Sequence, residues 1–127
     1  MGYSLRRLLG DLADGQDKGC LQTLQALDEV AYPTAYAYAV AQWRIDPAQA
    51  LIAYLWSWLE NQIMAALKAV PLGQTDGQKI LLLLGARLSD VAEHASSVSD
   101  ESLGSFAPGL AILSSRHETQ YSRLFRS

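Results

Sequence analysis

Cysteine is all but missing from this sequence: Cys20 is the single one in 127 residues. An internal disulfide is therefore excluded, and a reducing compartment is the expectation. Charge is sparse as well, with 18% charged residues and a formal net charge of −3. Such a balance leaves no electrostatic footprint for nucleic acid. The opening stretch, MGYSLRRLLGDLADG, lacks the sustained apolar run of a signal peptide, because acidic residues and glycine arrive too early. Gly2 meets the first requirement of a myristoylation start, but the following positions do not support it. There is no convincing strand pair and no internal repeat. The longest apolar run, residues 51–70, carries Glu60, Asn61 and Gln62 at its centre, where a bilayer penalises polar groups most. It is expected as a helix buried in protein rather than as a membrane span.

What the sequence has in excess is apolar surface. Hydrophobic residues make up 50% of the chain, which is high for a protein of this size. A single domain over residues 1–127 can bury only about two-thirds of its unfolded surface. Some of the apolar remainder is expected to serve a partner or further sequence.

The periodicity is helical throughout. Leu5, Leu8, Leu9 and Leu12 share a face and predict a first helix over residues 4–13. Leu21, Leu24 and Leu27 predict a short second one. Within AYPTAYAYAV, Tyr32, Tyr36, Val40 and Trp43 line one helical face, and alanine favours helix, so a third is expected from Pro33. Asp46 is an N-cap candidate, Pro47 suits the first helical position, and Gln49 falls three residues after the cap. The helix they open runs to about Val70, with Leu51, Ile52, Leu55, Trp56, Leu59, Ile63 and Leu67 on its apolar side. Apolar over most of its circumference, it reads as a central helix with buried tryptophans. After PLGQTDGQ, a second long stripe joins Ile80, Leu81, Leu84, Leu88, Val91, Ala92 and Ala95. Ser99 caps a short turn, and Pro108 opens a last helix. The predicted class is all-α, an antiparallel helical bundle with short connections.

Three segments bear on chemistry. PLGQTDGQ, residues 71–78, holds Gly73, Gly77 and Lys79, but it lacks the spacing and the hydroxyl residue of a phosphate loop and follows a helix, not a strand. The simple reading is an interhelical turn in which Thr75 or Asp76 caps the next helix. HETQY, residues 117–121, has half of a zinc-protease motif, with Tyr121 where a second histidine must stand, so a metal site is not supported. His94 follows Asp90 by four residues, as in ordinary solvated helix pairs. No paired carboxylates stand at a useful spacing, and nothing points to an enzyme. The end of the chain is richer: HETQYSRLFRS sets Arg116, Arg123 and Arg126 among Tyr121, Leu124 and Phe125. That mix of arginine and aromatic residues is enriched in interface hot spots. The alternative is a tail folded back onto the bundle with its arginines in water.

PLGQTDGQ, GSFAPGL and the terminal SRHETQYSRLFRS together resemble the UreF family of urease accessory proteins, from about residue 2 to the end. The resemblance implies an all-α, cytoplasmic, non-catalytic scaffold. It implies action with a second urease accessory scaffold protein and a nickel-carrying GTPase to insert nickel into the urease apoprotein. It also implies a tendency to form homodimers, and no cofactor of its own. It marks Pro71, Gly73, Gln74, Thr75, Asp76, Gly77 and Gln78 as the family's loop, shaping a turn and a partner-facing surface. Tyr121, Arg123, Leu124, Phe125 and Arg126 are marked as the tail that meets the second scaffold, with Arg123 foremost. The family is almost twice as long, and its first half has no counterpart here. The chain is accordingly expected to be a fragment, a split gene or a degenerate copy.

Overall fold

A computed structural model describes residues 1–12, 18–104 and 107–119, leaving aside the side chains of residues 18–20 and 118. The fold is all-α. Among the described residues there are seven α-helices and no strand. They are α1 (Gly2–Leu12), α2 (Lys18–Ala26), α3 (Tyr32–Gln42), α4 (Pro47–Ala69), α5 (Gln74–Gly85), α6 (Leu88–Ser97) and α7 (Pro108–Glu118). A single 3-10 turn covers Asp100–Ser102. The chain divides into two compact units, Met1–Ala50 and Leu51–Ser127.

In the first unit, α1 packs on α3 and on α2. Leu9, Leu24 and Ala39 meet in a small core, with Leu5, Val30 and Tyr38 against it. The leucine stripe of α1 is only partly used: Leu9 is buried, while Leu8 and Leu12 remain exposed. On α3 the buried side chains are Ala35 and Ala39, not the tyrosine face expected from the spacing. Tyr32, Tyr36 and Val40 are half-buried and Trp43 is exposed. The reason is close approach. Gly2 at the start of α1 lies against the backbone just before α3, and a Cβ there would run into the Val30 carbonyl oxygen and the backbone of Ala31. Alanines let helices come this near, whereas rings hold them apart. The tyrosines sit at the margin, where Tyr36 Oη donates to the Ala50 carbonyl at 2.9 Å. Burial, helped by the neighbouring Tyr32, pushes the Tyr36 hydroxyl above its ordinary pKa.

Both ends of the α3–α4 connection have clear local causes. Arg44 N–H donates to the Ala41 carbonyl at 3.2 Å and Ile45 N–H to the Val40 carbonyl at 3.0 Å. This is the paired C-terminal cap in which the residue just past the helix turns left-handed. Arg44 takes that place with φ 53°, where glycine is usual. At the start of α4, Asp46 Oδ1 accepts from the Gln49 N–H at 3.0 Å, and Pro47 takes the first helical position. The capped start expected from the sequence is therefore present.

In the second unit α4 is long, at 23 residues from Pro47, but it is not apolar enough to be enclosed. Leu59 and Ile63 are buried, while Trp56, Trp58 and Met64 are exposed. The expected burial of both tryptophans is corrected here: Trp56, whose ring lies beside Gly85 of α5, stays 39% exposed, and Trp58, at the rim of an open groove, stays 57% exposed. Glu60, Asn61 and Gln62 all face solvent. No helix among the described residues is long and apolar enough to cross a membrane. The second stripe is interrupted, giving two helices where one was expected. Gly85 ends α5, and Arg87 N–H bonds back only three residues, to the Leu84 carbonyl at 3.0 Å. Glycine weakens a helix interior, and the Trp56 ring occupies the space a side chain at 85 would need. In α6, Ala92 is buried. Ser96 and Ser97 turn their hydroxyls back onto the carbonyls of Ala92 and His94, and the helix stops there. The 3-10 turn after Ser99 and the start of α7 at Pro108 fall where the sequence put them.

Two stability outcomes follow from this packing. Leu59, 7% exposed, and Trp58, 57% exposed, are neighbours in sequence with opposite environments. Leu59→Ala should cost about 2–4 kcal/mol, and Trp58→Ala less than about 1 kcal/mol. Urea denaturation reads both, and equal losses would contradict the burial assigned here. Arg44→Gly should instead stabilise by roughly 1 kcal/mol, by relieving the left-handed backbone. A lower midpoint for that variant would show that the turn is held by the arginine side chain.

Candidate functional site

PLGQTDGQ divides into a short link and a helix start. α4 closes with Val70 N–H donating to the Ala66 carbonyl at 2.9 Å, and Leu72 N–H turns back to the Val70 carbonyl at 2.7 Å. Pro71 between them suits that tight turn because its φ is fixed. Gly73 is the N-cap of α5, with extended backbone and no side-chain cap. Its carbonyl accepts from the N–H groups of Asp76 at 3.0 Å and Gly77 at 3.1 Å. Thr75 and Asp76 are thus not the cap, as expected from the sequence, but members of the first helical turn. Asp76 still favours that turn, since a carboxylate near a helix N-terminus meets the positive end of the dipole. It lies 3.6 Å from Lys79 Nζ in an exposed pair, which contributes little on its own.

This arrangement separates the polar run by face. Gln74, Thr75, Asp76 and Gln78 are exposed, while Gly77 alone is buried. A Cβ on Gly77 would lie 2.9 Å from Leu67 Cδ1. Gly77 is therefore where α5 comes down on α4, and its neighbours form an outward polar surface of four side chains. Beside it lies an apolar groove of about 380 Å³ lined by residues of α4, the link and α5, among them Trp58, Ile63, Leu72, Gly77, Ile80 and Leu84. The groove was not foreseen from the sequence. Its only signal was that Leu72, Ile80 and Leu84 recur at spacings of eight and four residues.

The other candidate positions gain less from the fold. His94 is in the last turn of α6 and His117 in that of α7, both exposed. Among the described residues no group of three or more His, Cys, Asp or Glu side chains could hold a metal ion. The tail positions Tyr121, Arg123, Leu124, Phe125 and Arg126 lie outside the described residues.

Comparison with known proteins gives these features a family. The UreF family model matches residues 1–85. The chain belongs to the UreF family. It is 57% identical over 128 residues to the urease accessory protein UreF of Azoarcus sp. (strain BH72) and 50% identical over 127 residues to that of Dechloromonas aromatica (strain RCB). A third relative, the urease accessory protein UreF of Janthinobacterium sp. (strain Marseille), is 49% identical over 127 residues. All of this chain is covered in each case, but only 55%, 56% and 56% of these relatives. The chain thus spans a little over half the length of the UreF proteins it matches. The matched model covers the link and the polar face of α5, and stops at Gly85, where α5 ends.

The buried glycine and the polar face can be tested apart. Gly77→Leu must displace Leu67 and should cost about 1–3 kcal/mol, whereas Asp76→Ala should cost less than about 1 kcal/mol. Chemical denaturation with circular dichroism measures both. Equal stability for the two variants would mean that Gly77 does not set the contact between α5 and α4.

Proposed function

We propose that this chain is a urease maturation accessory protein, a non-catalytic scaffold acting as one UreF-like domain over residues 1–127. The observation that supports it is the 57% and 50% identity, over the entire chain, to proteins named urease accessory protein UreF. In this reading it works in the cytoplasm, as a homodimer, with a second accessory scaffold protein and a nickel-carrying GTPase. Together they deliver nickel to the urease apoprotein, and the metal is cargo of the assembly. The polar face of Gln74, Thr75, Asp76 and Gln78 is exposed in the first turns of α5, which suits a surface for a partner. Pro71, Gly73 and Gly77 shape it rather than touch the partner.

The tail supplies the second contact. Tyr121, Leu124 and Phe125 can fill pockets, and Arg123 and Arg126 can make forked hydrogen bonds to carboxylates. Hot-spot truncations cost about 2 kcal/mol or more, roughly thirtyfold in affinity. Deleting residues 122–127, or changing Arg123→Ala, should leave helical content and the melting temperature nearly unchanged. Capture of the second scaffold protein, and urease activation in a host lacking its own UreF, should both be lost. Leu59→Ala serves as the control for core damage. Were the tail deletion to lower the melting temperature as far as Leu59→Ala does, the tail would be structural. Should activation fail even for the unchanged chain, the generic alternative is favoured: a helical interaction domain without a urease role.

A further inference from the structure

We infer that the exposed corner between α3 and α4, formed by Trp43, Arg44 and Ile45, is a hot spot for a protein partner that presents a carboxylate beside an apolar pocket. Arg44 stands in the left-handed region at φ 53°, where glycine would sit without strain. Such strain persists only where something outweighs it, and it collects at functional positions. Nothing within the fold takes that part here. Among the described residues the Arg44 guanidinium makes no hydrogen bond and no ion pair. Asp46, the one acidic side chain in residues 40–49, is engaged with its own helix, where Oδ1 accepts from the Gln49 N–H. The turn itself is held by the N–H groups of Arg44 and Ile45 on the carbonyls of Ala41 and Val40. Glycine at position 44 would make the same backbone bonds.

The side chains on either side define the partner. Trp43 is 56% and Ile45 41% exposed, and every residue from 43 to 49 is open to solvent. Tryptophan and arginine are the types most enriched in interface hot spots. The planar guanidinium fork matches a carboxylate through two parallel hydrogen bonds. Such a pair is weak in water, and apolar neighbours that exclude water once a partner docks are what make it count. A nucleic-acid phosphate would meet the same fork, but the net charge of −3 offers it no wider attraction. The identity of the partner rests on the proposed function: it is a protein of the urease maturation assembly. The corner adds a contact separate from the polar face of α5.

The test measures binding of the 127-residue chain to an immobilised mixture of the second scaffold protein, the nickel-carrying GTPase and the urease apoprotein. Melting temperature and oligomeric state are read on each variant alongside. Arg44→Gly and Trp43→Ser should each weaken binding by about thirtyfold, the scale of losing a hot-spot residue. Arg44→Gly should do so while melting no lower than the unchanged chain, a split that a purely structural arginine would not give. Arg44→Glu should weaken binding at least about tenfold further, because it sets like charges face to face. Asp90→Asn on α6 should change nothing. The inference is overturned if Arg44→Gly and Trp43→Ser bind as tightly as the unchanged chain, or if their losses follow their melting temperatures. It is also overturned if Arg44→Glu binds no worse than Arg44→Gly, since the partner then presents no carboxylate. A change in self-association that accounts for the loss overturns it as well, by making a second copy the occupant. In all these cases the unchanged chain still binds and the proposed function stands. Should the unchanged chain itself not bind, the urease reading fails and takes this inference with it.

Discussion

Where α1 meets α3, the two helices approach through residues too small to keep them apart. Gly2 lies against the backbone of Val30 and Ala31, and Ala35 and Ala39 are the buried side chains of α3. The rest of the first unit adapts to that spacing. Leu9 and Leu24 close on Ala39, the tyrosines move to the margin, and Tyr36 uses its hydroxyl to tie the start of α4 through Ala50. Contacts made by small residues bury little apolar area each, and burial contributes only about 25 cal/mol per Å². The unit is well specified in geometry without being deeply cored.

The same economy holds in the second unit, with a different result. Leu59, Ile63 and Ala92 are its buried apolar side chains among the described residues. α7 has no buried side chain among those described. An apolar fraction of 50% exceeds what these contacts enclose. The α4–α5 groove adds to this open apolar surface, and the chain spans a little over half the length of the relatives it matches.

How much of this could be read from the sequence depended on the range of the cause. Asp46, Pro47 and Gln49 act on their own backbone, so the start of α4 was legible. So were Pro108 and the turn after Ser99. Burial was not, because it is decided by whichever element comes to lie opposite. The spacing of Tyr32, Tyr36, Val40 and Trp43 describes a face correctly, but the partner approached through Ala35 and Ala39 instead. Trp58 looked central because α4 is apolar nearly all round, yet the link and α5 border it only along an open groove and leave it 57% exposed. The second stripe breaks at Gly85, a residue that the apolar spacing on either side of it does not register. In PLGQTDGQ, the side chains able to cap drew attention away from Gly73, which starts α5 with its backbone alone. The partner-facing role of that surface and of the tail came from resemblance, since no local rule distinguishes a polar helix face made for a partner from one made for water.

Leu82 and Leu83 are 70% and 72% exposed on α5. Side by side on one short helix, they add a continuous apolar strip to the outer face of α5, of the kind that marks an interaction surface or a liability to association. Whatever covers α5 there takes both leucines out of water together, and that burial contributes to the association in proportion to the area removed.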